Sequence, residues 1–146
     1  MLFRSRGLTG EIVTRLERKG LKIVGMKMMR LGEELLDEHY AHISHLWFFN
    51  EIKDYMKGAP VIAICLEGVD VVNVVRGMCG PTKGSDAPPG TIRGDFSMAN
   101  QFNLIHASDS VETAEVEIPR FFREDELFEY DMENLRFIYA DREIPE

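Results

Sequence analysis

Cysteine is scarce in this 146-residue chain: only Cys65 and Cys79, fourteen positions apart. That spacing matches neither a CxxC redox pair nor a zinc-binding pattern, and so sparse a cysteine content points to a reducing compartment rather than a disulfide scaffold. Positive charge is short as well. Seventeen Lys and Arg against 25 Asp and Glu leave a net charge of −8, which excludes non-specific nucleic-acid binding through excess positive charge. A bound polyanion then needs a local basic site. Long hydrophobic runs are also missing: the longest, "VIAICL" at 61–66, falls far short of the ~20 residues that cross a bilayer. No basic–apolar–small-residue leader opens the chain. The expectation is a cytoplasmic protein with neither a membrane nor a specific nucleic acid as partner. What is present is ordinary: 45% hydrophobic and 29% charged residues, enough for a single domain over 1–146 with a sizeable core.

Periodicity organises the chain into alternating elements. Leu8, Ile12, Val13 and Leu16 fall at helical spacing behind a candidate Thr9 cap, and Gly20 supplies a stop. Leu21 to Met29 reads as a strand. Leu36, Tyr40, Ile43 and Trp47 form a second helical stripe, and Phe48, Ile52, Tyr55 and Met56 a third. The 61–66 run is typical of a strand covered on both faces. Asp70 is placed to cap a helix carrying Val71, Val75 and Met78. Gly80 to Phe96, rich in Gly, Pro, Ser and Thr, reads as one long irregular stretch, and such stretches are usually functional or disordered. A short strand ending at His106 then leads, through "ASDS", into a helix with Val111, Ala114, Ile118, Phe121 and Phe122 on one face. The tail from Glu124 is acidic and weakly patterned. Helices alternating with strands at this length predict a small sheet with helices packed against it.

Chemistry concentrates in two places. His106 stands where an apolar strand gives way to a helix N-terminus, a setting that favours anions through unpaired N–H groups and the helix dipole. From the residues alone it reads as a satisfied core histidine, a metal ligand, or a nucleophile or acid–base group. Ser108 and Ser110 add hydroxyls there, which capping alone also explains. Glu117 flanks the buried face of the following helix, either held against the imidazole of His106 or extended to solvent. The second place is the loop "GPTKGSDAPPGTIRGDF" with Thr82, Lys83, Thr91 and Arg93, and Arg76 just upstream. Arginine forks match phosphate oxygens, but the Walker spacing is absent, and a merely solvated charged loop is equally compatible. "HYAHISH" offers His39, His42 and His45. On one helix His45 points roughly 240° from His39, so the three cannot converge on a metal.

"NLIHASDS" at 103–110 together with "PPGTIRGDF" at 88–96 resembles the N-x-x-H-[AG]-S-D and P-G-T-I-R-G-D-F motifs of the nucleoside diphosphate kinases. The likeness runs from about Arg6 to about Tyr130, with "GLKIVGMKM", "HY" and "FF" in order. It implies a ferredoxin-like αβ sandwich (α/β, more strictly α+β) with a small antiparallel sheet. It also implies a ping-pong phosphotransferase that moves the γ-phosphate of ATP or another nucleoside triphosphate to a nucleoside diphosphate through a phosphohistidine. By that resemblance His106 is the nucleophile and Glu117 its orienting carboxylate. Arg76, Thr82 and Arg93 would contact phosphates, Asn103 the ribose and Phe48 the base, with Tyr40 and Ser108 supporting the histidine. Mg²⁺ would ride on the nucleotide phosphates with no protein metal ligand, and the chain would form a homo-oligomer, tetramer or hexamer.

The N-terminus departs from the family pattern. The family opens with an apolar strand ending in Lys-Pro-Asp and then x-x-Arg-Gly, whereas here "MLFRS" precedes Arg6-Gly7. The resemblance therefore predicts a domain truncated at its N-terminus, without its first, central strand and without the lysine, Arg4 being the nearest substitute charge. Asn100 also stands where the family has an apolar residue opposite Phe48. These departures leave a second reading, a catalytically compromised homologue that binds nucleotide or partner subunits.

Overall fold

The run Val61–Glu67 forms β3, and its alternation explains the two-layered core. Ile62 and Ile64 point to one face, while Val61, Ala63 and Cys65 point to the other. The computed structural model describes residues 1–4, 6–100 and 102–143. Within them a four-stranded antiparallel sheet has the order β2-β3-β1-β4, with β1 at Leu2–Arg4, β2 at Lys22–Met29 and β4 at Ile105–His106. On one face pack α1 (Thr9–Lys19) and α4 (Val71–Cys79), through Ile12, Leu16, Val75 and Cys79. On the other pack α2 (Glu33–His39), α3 (Phe49–Lys57) and α6 (Val111–Phe121), through Leu36, Met56 and Phe121. This is the expected αβ sandwich.

The expectation that the first strand is missing is corrected. Leu2–Arg4 occupies the central position, with Leu2 opposite Ala63 on β3 and opposite His106 on β4. Two consecutive apolar residues explain how so short a segment can do this. Successive strand side chains point to opposite faces, so Leu2 enters one core layer and Phe3 the other, at 2% and 1% exposure. Met1 extends the ladder by one residue through Ile64. The suggestion that Arg4 replaces the lysine charge concerns a side chain outside the described residues.

Smaller differences have local causes. Thr9 is the first helical residue rather than the cap, whereas Gly20 ends α1 in the left-handed region as expected. The stripe through Trp47 is not one helix: α2 stops at His39, a single 3₁₀ turn covers Ala41–Ile43, and Trp47 is 78% exposed. Asp70 precedes α4 in a left-handed conformation and accepts from the Asn73 side chain instead of capping the backbone. The Gly80–Phe96 stretch contains a 3₁₀ turn at Gly84–Asp86 and a short α5 (Ile92–Phe96), capped by Thr91 accepting from the Gly94 amide. Val111 lies outside the buried face of α6. Beyond Glu124 the described tail holds a short α7 (Leu135–Ile138) between two 3₁₀ turns.

Candidate active site

His106 is delivered by the last residue of β4, whose backbone is fixed by pairing with Leu2. The turn just before it is unusual. The Ile105 amide donates to the Asn103 carbonyl at 2.9 Å across Leu104, whose φ of +74° is rare for a residue with a side chain. An i-to-i+2 bond at that φ is the strained form of the γ-turn. Burial of the Leu104 side chain, 5% exposed, holds it there. Strain of this kind persists only where the surroundings over-determine the backbone.

On the far side of His106 the "ASDS" string leads into α6, where Ser110 caps the helix by accepting from the Thr113 amide at 3.0 Å. That cap sets the helical phase and turns Glu117 inward, 8% exposed. Glu117 Oε1 and Oε2 lie 3.0 and 3.1 Å from His106 Nε2, and Ser108 Oγ donates to Oε2 at 2.5 Å. Burial alone would raise the Glu117 carboxyl, but the hydrogen bond and charge of His106 and the Ser108 hydroxyl outweigh it, so its pKa falls well below the carboxylate range. Glu117 is an anion fixed against one ring nitrogen. His106 Nδ1 is left without a hydrogen-bond partner among the described residues.

A cleft of about 1210 Å³ opens over this histidine. Tyr40, Phe48, Arg76, Thr82, Arg93, Asn103, His106 and Glu117 all line it, so eight of the nine residues singled out from sequence converge on one cavity. The ninth, Ser108, faces a separate small cavity and reaches the site only through Glu117. Its cations are arginines: Arg76, Arg93 and Arg120 line the cleft, and no described lysine does. Arg76 is exposed in the last turn of α4. Arg93 is tied down, its Nη1 and Nη2 donating to the carbonyls of Gly80 and Ile105 at 2.6 Å each. Burial lowers its pKa, as expected for a guanidinium drawn partly out of water. Tyr40 is half-buried, and that burial with the nearby Glu117 charge raises its phenol to about 12. Asn103 Nδ2 donates to the Asn100 carbonyl at 2.9 Å. Lys83 pairs with Asp86 outside the cleft.

Sequence reasoning missed one neighbour. His39, at the end of α2, packs edge-on against the His106 ring with centroids 4.6 Å apart. Its Nδ1 lies 3.6 Å from Glu117 Oε1 and 3.5 Å from Arg120 Nη1. Burial depresses its pKa, helped by the His106 and Arg120 charges and opposed by Glu117, so the ring is neutral near pH 7. In the sequence His39 groups with His42 and His45, which are exposed. The pairing that matters joins residues far apart in sequence.

As a donor set, His39, His106 and Glu117 bring one ligand atom each to within 4.8 Å of one another. Two imidazoles and one carboxylate do not suit Mg²⁺, which takes oxygen ligands in near-octahedral geometry.

Comparison with known proteins agrees with this architecture. The profile of the nucleoside diphosphate kinase family matches residues 4–127. A nucleoside diphosphate kinase of Parabacteroides distasonis is 57% identical over 138 residues, covering 94% of this chain and 90% of that protein. One from Archaeoglobus fulgidus is 45% identical over 137 residues, covering 94% and 91%. Among solved structures, a halophilic nucleoside diphosphate kinase from Halobacterium salinarum in complex with CDP superposes with a TM-score of 0.91 at 43% identity, covering 95% of each chain. A protein placed in the same family from Babesia bovis superposes at 0.90 with 32% identity, covering 94% of this chain and 96% of that one. With the family motifs gathered around one cleft and its profile matched over most of the sequence, this chain belongs to the nucleoside diphosphate kinases, enzymes of nucleotide phosphoryl transfer.

Proposed function

We propose that the chain transfers the γ-phosphate of a nucleoside triphosphate to a nucleoside diphosphate in two half-reactions through a phosphohistidine at His106. The observation that carries this reading is the Glu117–His106 pair. A carboxylate on Nε2 keeps the proton there and leaves the Nδ1 lone pair for in-line attack on phosphorus. The Nδ1–P bond forms as the bond to the leaving diphosphate oxygen breaks. The ring gains positive charge on the side that Glu117 holds, and Ser108 fixes that carboxylate. Reversal onto a second diphosphate restores the free imidazole. Such transfer depends on positioning and charge neutralisation, which the arginines of the cleft supply.

In this reading Arg76, Arg93 and Thr82 bind phosphate oxygens, Asn103 the ribose hydroxyls, and Phe48 stacks on the base. Stacking without reading the base edges fits a broad range of nucleobases. The CDP in the Halobacterium salinarum structure supports a cleft of this shape accepting a nucleoside diphosphate. Mg²⁺ enters as part of the nucleotide substrate, screening its phosphate charge. A homo-oligomeric assembly and a cytoplasmic location complete the proposal. No helix among the described residues is long and apolar enough to cross a membrane.

The test is incubation with ATP followed by mass spectrometry. An acid-labile, base-stable adduct on His106 is expected, and His106→Ala should lose both labelling and transfer. Labelling that persists in that variant at His39, His42 or His45 would sink the assignment.

A further inference from the structure

We propose that His39, His106 and Glu117 form an inhibitory binding site for Zn²⁺ or a similar borderline divalent metal. Buried polar groups are almost always hydrogen-bonded, yet the His39 ring makes no polar contact shorter than 3.5 Å among the described residues. Its Nδ1 has Arg120 at 3.5 Å and Glu117 at 3.6 Å, and its Nε2 is buried with no partner among the described residues. The Nδ1 atom that faces Glu117 is thus held only by a long contact to Arg120, which a metal bond can replace.

The geometry supplies one. Glu117 Oε1 lies between the two imidazoles, 3.0 Å from His106 Nε2 and 3.6 Å from His39 Nδ1. Tetrahedral zinc with bonds of about 2.0–2.1 Å needs ligand atoms about 3.3 Å apart. These two separations bracket that value, and the three-residue set, within 4.8 Å overall, closes to that spacing with a shift of about 1.5 Å. Ser108 holds Glu117 Oε2, leaving Oε1 for the metal. The cleft offers water for a fourth position, the usual form of a zinc site with three protein ligands. The opposing element is the Arg120 guanidinium, whose Nε is anchored to Glu38 at 2.8 Å. Its charge tempers the affinity and makes Arg120 a probe of the site.

The consequence for chemistry is specific. A metal on His106 Nε2 displaces the ring proton from that nitrogen. The neutral imidazole then carries it on Nδ1, the atom that needs a free lone pair for phosphoryl transfer. Glu117 is withdrawn from its orienting role at the same time. The inhibition rests on the function proposed above.

The experiment titrates nucleotide-free, magnesium-free protein with Zn²⁺ against a chelating dye and locates the metal by anomalous diffraction at the zinc edge. The expected result is one zinc per chain with a peak about 2 Å from one atom of each residue. Glu117→Gln and His39→Gln should each weaken binding by at least tenfold. The double variant His42→Gln/His45→Gln should stay within twofold, and Arg120→Gln should tighten binding severalfold. The diffraction on the unaltered protein stands even if His39→Gln fails to fold. A peak at His42 or His45, no peak at saturating zinc, or affinity unchanged in both His39→Gln and Glu117→Gln would overturn the proposal. Zinc bound by all three residues with ATP labelling of His106 undiminished would instead leave the site standing and refute the assigned attacking nitrogen.

Discussion

Replacing Glu117 by Gln separates orientation from folding within one isosteric change. The carboxylate accepts from Ser108 at 2.5 Å and holds His106 Nε2 at 3.0 and 3.1 Å. An amide keeps one oxygen, which Ser108 can still reach. Its NH₂ takes the Oε1 place 3.0 Å from His106 Nε2, so a donor replaces one of the two acceptors on that nitrogen and the balance moves toward the tautomer with its proton on Nδ1. The lost interaction is a hydrogen bond to a charged group, about 1.5–3 kcal/mol. At 1.36 kcal/mol per factor of ten, that is about 10- to 150-fold in turnover. Stability should fall as well, because the downward shift of Glu117 means that the folded chain favours its carboxylate over a neutral group, although the amide keeps the shape and the Ser108 bond. The assay pairs steady-state transfer with thermal melting and adds ¹⁵N spectroscopy of the His106 tautomer. Turnover within threefold of the unaltered protein, measured where both proteins are folded, would refute the orienting role. A lowered melting temperature with that turnover unchanged would show that Glu117 serves the fold instead.

Three further outcomes test the framework. Phe3→Ala should cost about 3–5 kcal/mol, the usual range for a buried aromatic, and lower the melting temperature by on the order of 10 °C; a loss under about 1 kcal/mol in urea unfolding would mean that β1 does not fill the sheet. Arg76→Ala should lower turnover by about 10²-fold with little effect on melting, whereas Arg93→Ala should lower both, since its guanidinium also ties Gly80 to Ile105; equal kinetic losses at Lys83→Ala would assign the loop to general charge. Finally, burial holds His39 below the ordinary imidazole value, so beneath about pH 6.5 the unfolded chain binds more protons than the folded one and stability falls as pH drops. Glu117, shifted downward, adds its own loss only below about pH 4.3; urea melts from pH 7 to 5 should therefore show a slope that His39→Phe flattens, and an identical slope would contradict the assignment.

The sequence by itself determined whatever is written in local pattern. The apolar run at 61–66 announced a strand covered on both sides, the Gly20 stop and the Ser110 cap set helix ends, and two long motifs at matching separation identified the family. They also nominated His106 and Glu117, because a strand-end histidine and a carboxylate eleven residues on belong to one continuous strand–turn–helix unit. What only tertiary structure decided involves contacts between distant segments. Leu2 and Phe3 carry no periodic signal in so short a segment, and they read as a strand only once Ala63 and His106 stand on either side. The tie from Arg93 to Gly80 and Ile105 and the packing of His39 against His106 depend on how loops and helix ends meet over the sheet. Local propensity is a property of neighbours along the chain. The second histidine beside the site comes from burial, which assembles residues that share no neighbourhood until the sheet has formed.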